Sequence, residues 1–212
     1  MKIYLVRHGE TLGNQKKIHQ GPDSPLSDIG LSQAHLVAHR FSKISFDALL
    51  ASPYKRTQQT ASEISKKTNH PIETIKDLHE YDRPTSIQGL SFEHSKSKQV
   101  MDLIKKHIDN PNWHYGNEEN FFDFKKRIQT VYLLLEKRPE KILTLVSHGL
   151  TIAMLIGLAI IGDNITPDQF LFLFYSMNSS NTGISVLEYE KAFDSNENRW
   201  KLRTFNDDAH LG

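Results

Sequence analysis

The chain has 212 residues, a net charge of +1 from 26 Lys and Arg against 25 Asp and Glu, and no cysteine. A chain of this length buries on the order of two-thirds of its unfolded surface without staples, and the missing cysteines exclude a disulfide framework, a thiolate zinc centre, an iron–sulfur cluster and a cysteine nucleophile. The balanced charge gives no global field for nucleic acid or an anionic membrane, though it leaves room for a local cationic pocket.

The first apolar run ends at Val6, too short for a secretory core segment. Residues 3–9, Ile-Tyr-Leu-Val-Arg-His-Gly, are echoed by residues 143–149, Leu-Thr-Leu-Val-Ser-His-Gly. Each is a brief continuous apolar run, the pattern of a central strand buried on both faces. Between them the pattern predicts a helix over 28–41 with Ser27 as N-cap, a strand over 47–51, a helix over 54–67 and a strand over 72–75. Strands alternating with helices argue for βαβ units and a mostly parallel sheet.

From Asp82 to about Pro139 the chain is longer than a crossover needs. It holds amphipathic helical patterns over roughly 91–108 and 119–137, read as an inserted helical cap of about 85–140 lying over the sheet. A helix follows His148 over 150–161; its apolar run, Leu150 to Ile161, is short of the ~20 residues that span a bilayer, so it is expected to be a buried helix. A short helix is expected after Pro167, and strands over 183–189 and 200–205 close the sheet as a hairpin. The expected fold is α/β, a three-layer sandwich with a mostly parallel central sheet flanked by helices. A single domain over 1–212 and a cytoplasmic location are expected.

Ligands of open α/β sheets bind outside the carboxyl ends of the strands. His8 and His148 both sit there, each followed by a glycine, Gly9 or Gly149, that lets a ligand approach the backbone. The helix after His148 aims free N–H groups and a positive dipole end at the same place. Arg7 adjoins His8, and Arg56 follows the second strand. Arginine suits bidentate phosphate contact, each charge-assisted bond contributing roughly 1.5–3 kcal/mol. Converging at three strand ends, these residues make a phosphoryl clamp.

Arg7-His8-Gly9-Glu10-Thr11 with Asn14 three residues on resembles the signature of the histidine phosphatase superfamily, the phosphoglycerate mutase-like group. The resemblance continues through Gln20 to Ser27, Ser52 to Ala61, Leu78-His79-Glu80, Val146 to Gly149, Asn181 to Ile184 and Asn206 to Leu211. It implies that His8 is the nucleophile that becomes phosphohistidine. It implies that Arg7, Arg56 and His148 bind the phosphoryl oxygens with Asn14 assisting, and that Gln20, Gly21 and Gly149 line the substrate site. Glu80 is implied as general acid for the leaving alcohol and then as base for water. Neither a metal nor an organic cofactor is implied. The partner expected is a small phosphorylated metabolite, with no nucleic acid or membrane partner, on a monomer or homodimer.

The chemistry has its own requirements. His8 must be unprotonated on the attacking nitrogen, with its other nitrogen donating to a backbone acceptor. Glu80 serves as acid only while it carries a proton, which partial burial favours. Glu10 and Asp82 are alternative carboxyls, and Arg83 is either a substrate contact or a partner for Asp82. His35 and His39 have metal-ligand spacing but no evident third ligand. Three functions remain open at this point: a phosphatase acting on a small phosphomonoester, a cofactor-dependent phosphoglycerate mutase-type phosphoryl transfer, and a non-catalytic phosphate-binding relic.

Overall fold

The computed structural model describes residues 1–191 and 197–212. Its centre is a pair of parallel strands, β1 (Lys2–Arg7) and β4 (Ile142–Ser147), in register from Lys2 opposite Ile142 to Arg7 opposite Ser147. β2 (Ala48–Ala51) pairs parallel with β4, and β3 (Ile72–Thr74) with β2. On the other side β5 (Ile184–Lys191) runs antiparallel to β1 and forms the expected hairpin with β6 (Asn198–Asp207). The sheet order is β3-β2-β4-β1-β5-β6.

The strand period of two sends alternate residues of the central strands to opposite faces. Ile3, Leu5 and Leu145 pack on one side with α6 (Gly149–Ile161), while Val6, Val146 and Leu49 pack on the other with α2 (Asp28–Phe41) and α3 (Lys55–Thr68). Both strands are therefore covered twice, which explains their unbroken apolar runs. Each fully buried Leu or Ile contributes roughly 1.5–3 kcal/mol, and Leu5, Leu143, Leu145 and Val146 are at most 1% exposed. The outcome is the three-layer sandwich.

Helix boundaries follow local chemistry. Ser27 caps α2, its Oγ accepting from the Gly30 amide at 3.0 Å. α7 (Pro167–Ser176) starts with a capping box between Thr166 and Gln169 and with Pro167 in its first turn. A four-residue helix, α1 (Leu12–Gln15), is held by a Thr11–Asn14 capping box. It is too short for a periodic signal and was not expected. α6 is buried throughout its first ten residues except at Gly149, as expected of an apolar helix inside a fold. Among the described residues no helix is long and apolar enough to cross a membrane.

The segment between β3 and β4 carries α4 (Ser95–Lys106) and α5 (Phe121–Glu136), close to the predicted spans. α5 lies over the sheet, with Phe121, Phe124, Ile128, Val131, Tyr132 and Leu135 buried in the same core as Ile3, Leu5 and α6. Its apolar face is wide enough to pack as a sheet-covering helix. The shorter stretch before it departs from the layer: Ile18 bridges Ser91, and Phe92 N donates to Lys17 O at 2.9 Å.

Candidate active site

Because β1 and β4 are parallel neighbours in register, they end side by side, and each delivers a histidine to the same edge. The His8 amide donates to Ser147 O at 3.0 Å, continuing the ladder one residue past Arg7. His148 follows Ser147 directly, and the two imidazole centroids are 5.2 Å apart. His8 is 3% exposed and His148 is wholly buried.

The tautomer of His8 follows from its neighbours. Its Nδ1 lies 2.7 Å from Gly9 O, and a carbonyl only accepts, so Nδ1 carries the proton. The lone pair is then on Nε2, where Arg56 donates its Nε–H at 3.2 Å. Burial, followed by Arg56 and Arg7, pushes the His8 pKa well below the ordinary histidine value. The ring is a neutral imidazole with a directed, unprotonated nitrogen.

His148 is also neutral: burial first, then Arg56 and His8, push it well below its ordinary value. Its Nε2 is 2.7 Å from Ser52 Oγ. The hydroxyl's other neighbour, the Tyr54 amide at 3.4 Å, is a donor, so among the described residues His148 Nε2 is the acceptor available to its proton. The single ring proton is then on Nδ1, a buried atom with no partner among the described residues. Arg7 Nε is buried and without a partner in the same way, while Arg7 Nη1 is anchored on Ser179 O. Buried donors of this kind cost of order 1–3 kcal/mol when left unmade. Two of them at the edge where the strands end are a place for an acceptor-rich anion.

Arg56 is held from its far side by Gly21 O at 3.0 Å. Burial lowers the pKa of both Arg7 and Arg56, and the charge of Glu80 pulls both back up. Arginine stays charged through such shifts, so the edge is cationic. Tyr54 presents its ring to the Arg56 guanidinium at 5.0 Å and to His148 at 5.1 Å.

Glu80 is the carboxyl that faces this cluster. Its Oε1 accepts from the amides of Tyr81 at 2.9 Å and Thr151 at 3.1 Å and from Thr151 Oγ1 at 3.2 Å. Its Oε2 accepts from the Leu150 amide alone, at 3.2 Å. The first turn of α6 thus holds the carboxyl group by its free N–H groups, and Oε2 is the oxygen with room for a proton. The alternatives are engaged elsewhere. Glu10 Oε1 accepts from Gln15 Nε2 at 2.6 Å and Ser27 Oγ at 2.9 Å, joining α1 to α2. Asp82 accepts from Tyr54 OH at 3.2 Å and lies 3.5 Å from His79 Nδ1.

The model of the histidine phosphatase superfamily (branch 1) matches residues 3–208. The chain belongs to that superfamily. Solved structures of the same fold include the alpha-ribazole phosphatase of Shigella flexneri, with a TM-score of 0.77 and 23% identity over 98% of this chain and 97% of that one. The Entamoeba histolytica phosphoserine phosphatase in complex with 3-phosphoglyceric acid gives a TM-score of 0.75 and 24% identity over 99% and 98%. A curated relative, "Probable phosphoglycerate mutase GpmB" of Yersinia pestis (strain Pestoides F), is 50% identical over 66 residues. That match spans 31% of this chain and 31% of the relative.

Within this superfamily member the remaining predicted residues take distinct places. Asn14 spends its Oδ1 on the Thr11 amide at 3.1 Å, which leaves the NH₂ edge to offer a ligand. Gln20 Oε1 accepts from Thr11 Oγ1 at 2.7 Å, and its side chain packs on Gly13. Gly21 acts through its carbonyl, as the anchor of Arg56. The two glycines after the histidines differ, contrary to the shared reason expected for them. A Cβ on Gly9 would stand 2.5 Å from Gly30 O, so Gly9 is there for the approach of α2 and not for a ligand. A Cβ on Gly149 would meet Arg7 Nε at an ordinary 3.7 Å, so the packing of the fold does not itself require a glycine there.

Arg83 does not pair with Asp82: it lies over the Tyr81 ring at 4.8 Å and reaches Met101 Sδ at 3.6 Å. His35 and His39 are both exposed. Among the described residues one group has metal-ligand proximity, His79, Asp82 and Glu119, with candidate atoms within 4.8 Å. Its valences are already used, since His79 Nδ1 donates to Glu80 O at 2.8 Å and Glu119 pairs with Arg127 through both oxygens. Ser52, Tyr54, Thr151 and Asn181, whose Nδ2 donates to His8 O at 2.9 Å, were not singled out from sequence. Ser52, Tyr54 and Asn181 lie inside the segments that resemble the family; nothing in the local pattern marks Thr151.

Proposed function

We propose that this chain is a phosphatase that hydrolyses a small-molecule phosphomonoester through a phosphohistidine at His8. The observation that carries the reading is His8 itself: Nδ1 is tied to Gly9 O, and Nε2 is an unprotonated nitrogen beside a guanidinium. The buried unpartnered donors Arg7 Nε and His148 Nδ1 support a phosphoryl group as the ligand.

In the first step Arg56 leaves His8 Nε2 for the phosphoryl oxygens, and the Nε2 lone pair attacks phosphorus. The P–O bond to the alcohol breaks, and the leaving oxygen takes the proton from Glu80 Oε2. General acid assistance of this kind is worth roughly 10²–10⁴-fold. Arg7, Arg56 and His148 Nδ1–H stabilise the charge spread over the transferring oxygens. The phosphorylated ring keeps its Nδ1–H on Gly9 O. Water then attacks phosphorus, Glu80 takes one of its protons, and the P–N electron pair returns to His8.

His8→Ala is expected to abolish turnover of an aryl phosphate. Acid-quenched enzyme given labelled substrate is expected to hold label on His8 in the wild type and none in the variant. A fully active variant would make His8 a bystander and point to another nucleophile, whereas a wild type without turnover would leave a phosphate-binding relic. The 66-residue stretch shared at 50% identity with a protein named as a mutase favours phosphoglycerate mutase-type transfer as a second reading. Conversion of 3- to 2-phosphoglycerate with a bisphosphate primer, faster than release of phosphate, would establish it.

A further inference from the structure

The segment that carries Glu80 has no regular structure: residues 79–84 lie in neither helix nor strand. Its backbone carbonyls therefore need partners from elsewhere. Thr151 Oγ1, on α6, donates to His79 O at 2.7 Å and His79 Nδ1 to Glu80 O at 2.8 Å, and one further side chain reaches three carbonyls around Glu80. Arg127, on α5, donates from Nη1 to Asp77 O at 2.6 Å and His79 O at 3.0 Å, and from Nη2 to Glu80 O at 3.5 Å. Its remaining N–H groups pair with Glu119, Nε to Oε1 at 2.5 Å and Nη2 to Oε2 at 2.7 Å. Glu119 Oε2 in turn accepts from the Asp82 amide at 3.4 Å.

The pair thus grips the backbone on both sides of Glu80. The two side chains are only 10% and 15% exposed, and the guanidinium lies over the Phe124 ring at 5.1 Å. A guanidinium has five N–H groups in one rigid plane, and here all five have acceptors. The ion pair neutralises a charge that would be costly to bury alone, and the three carbonyls fix its orientation. The carboxyl group is held separately, by the first turn of α6. Glu80 therefore has two supports: α6, which holds its oxygens and, through Thr151 Oγ1, the His79 carbonyl, and α5, which holds the backbone on both sides of it.

We propose that Arg127 is the positioning residue of the general acid, setting how far Glu80 Oε2 reaches toward the leaving oxygen. This rests on the reading of Glu80 as that acid. Among the described residues the contacts of Arg127 run to Asp77, His79, Glu80, Glu119 and Phe124 and not to His8, Arg7, Arg56 or His148. A misplacement of about 1 Å at a reacting group costs on the order of 10²-fold. A displaced acid harms the departure of a poor leaving group and hardly affects a good one.

The test is kcat/KM, which reports the step that forms phosphohistidine, on two substrates: 4-nitrophenyl phosphate and an alkyl phosphate such as glycerol phosphate. Glu80→Gln is the reference and is expected to lose roughly 10²-fold or more on the alkyl ester and far less on the nitrophenyl ester. Arg127→Lys, with three donors at one point instead of a fork, is expected to show the same selectivity, about 30-fold against less than about threefold. Glu119→Gln, a milder change, is expected to shift the ratio in the same direction by several-fold. The ratio within one variant does not depend on the fraction of enzyme that folds. Equal loss on both substrates in Arg127→Lys and Glu119→Gln, with Glu80→Gln selective, overturns the inference and leaves the pair as a fold-holding contact. No selectivity in Glu80→Gln overturns the general acid reading itself.

Discussion

Arg56 donates its Nε–H to the lone pair of His8 Nε2 across 3.2 Å. In the proposed mechanism the bond occupies the nitrogen that attacks, so substrate would enter by drawing the guanidinium onto its own oxygens. The same positive charge lowers the His8 pKa, second only to burial. In the proposed mechanism one residue thus both binds the phosphoryl group and helps to keep His8 neutral.

Replacing Arg56 tests both roles. Arg56→Ala is expected to lower kcat/KM by roughly 10²–10⁴-fold, the loss of two charge-assisted bonds. With the charge gone, the His8 pKa rises toward its ordinary value, and the acid limb of the kcat/KM profile moves to higher pH. Arg56→Lys keeps the charge and is expected to keep the acid limb in place while losing the fork. A pH profile that does not move in Arg56→Ala would show that burial and Arg7 keep His8 neutral without Arg56.

Ser52 sets which nitrogen of His148 bears the proton, through the contact of 2.7 Å from its Oγ to Nε2. In Ser52→Ala nothing holds Nε2 unprotonated, and Nδ1 no longer donates reliably to the ligand. A neutral hydrogen bond of this type is worth about 1 kcal/mol, so a loss of roughly tenfold in kcat/KM is expected. Nitrogen chemical shifts of the His148 ring check the cause, because the tautomer itself must change.

Stability should fall on acidification. His8 and His148 are held neutral well below their ordinary pKa, so below about pH 6.5 the unfolded chain binds protons that the folded chain refuses. Each such histidine contributes a slope of up to about 1.4 kcal/mol per pH unit, lost from about pH 6.5 downward until its folded pKa is reached. His19, pulled down to about 4 chiefly by burial, adds to the same trend. Urea unfolding from pH 7 to 5 is expected to show the decline, and His148→Gln to flatten it.

Gly30 has the tightest backbone approach of the glycines in the described residues. A Cβ there would overlap Glu10 O, a backbone atom that also accepts the Ser27 amide at 2.9 Å. Helix propensity favours alanine by up to about 1 kcal/mol, but overpacking against backbone costs about 1–3 kcal/mol or more. Gly30→Ala is therefore expected to lower the melting temperature by several degrees. Gly89, with φ of +79° and open space around it, serves as a contrast in which only the backbone strain, about 1–2 kcal/mol, is felt.

The sequence by itself determined the order of strands and helices and the edge at which the chemistry sits. Its signals there are local: continuous apolar runs at β1 and β4, a 3.6-residue period in α2 and α3, and caps such as Ser27. It also named the histidines and arginines, because a polar pair at a strand end stands out against apolar neighbours. Only the tertiary structure decided which partners those groups have. Ser52 meets His148 across 96 positions of chain, and Arg127 meets Asp77 across 50. It also decided that α5 shares its core with α6, since an amphipathic pattern requires a buried face without saying against what. Hydrogen bonds between distant residues leave no periodic trace, for they depend on where elements come to rest and not on what each residue prefers alone.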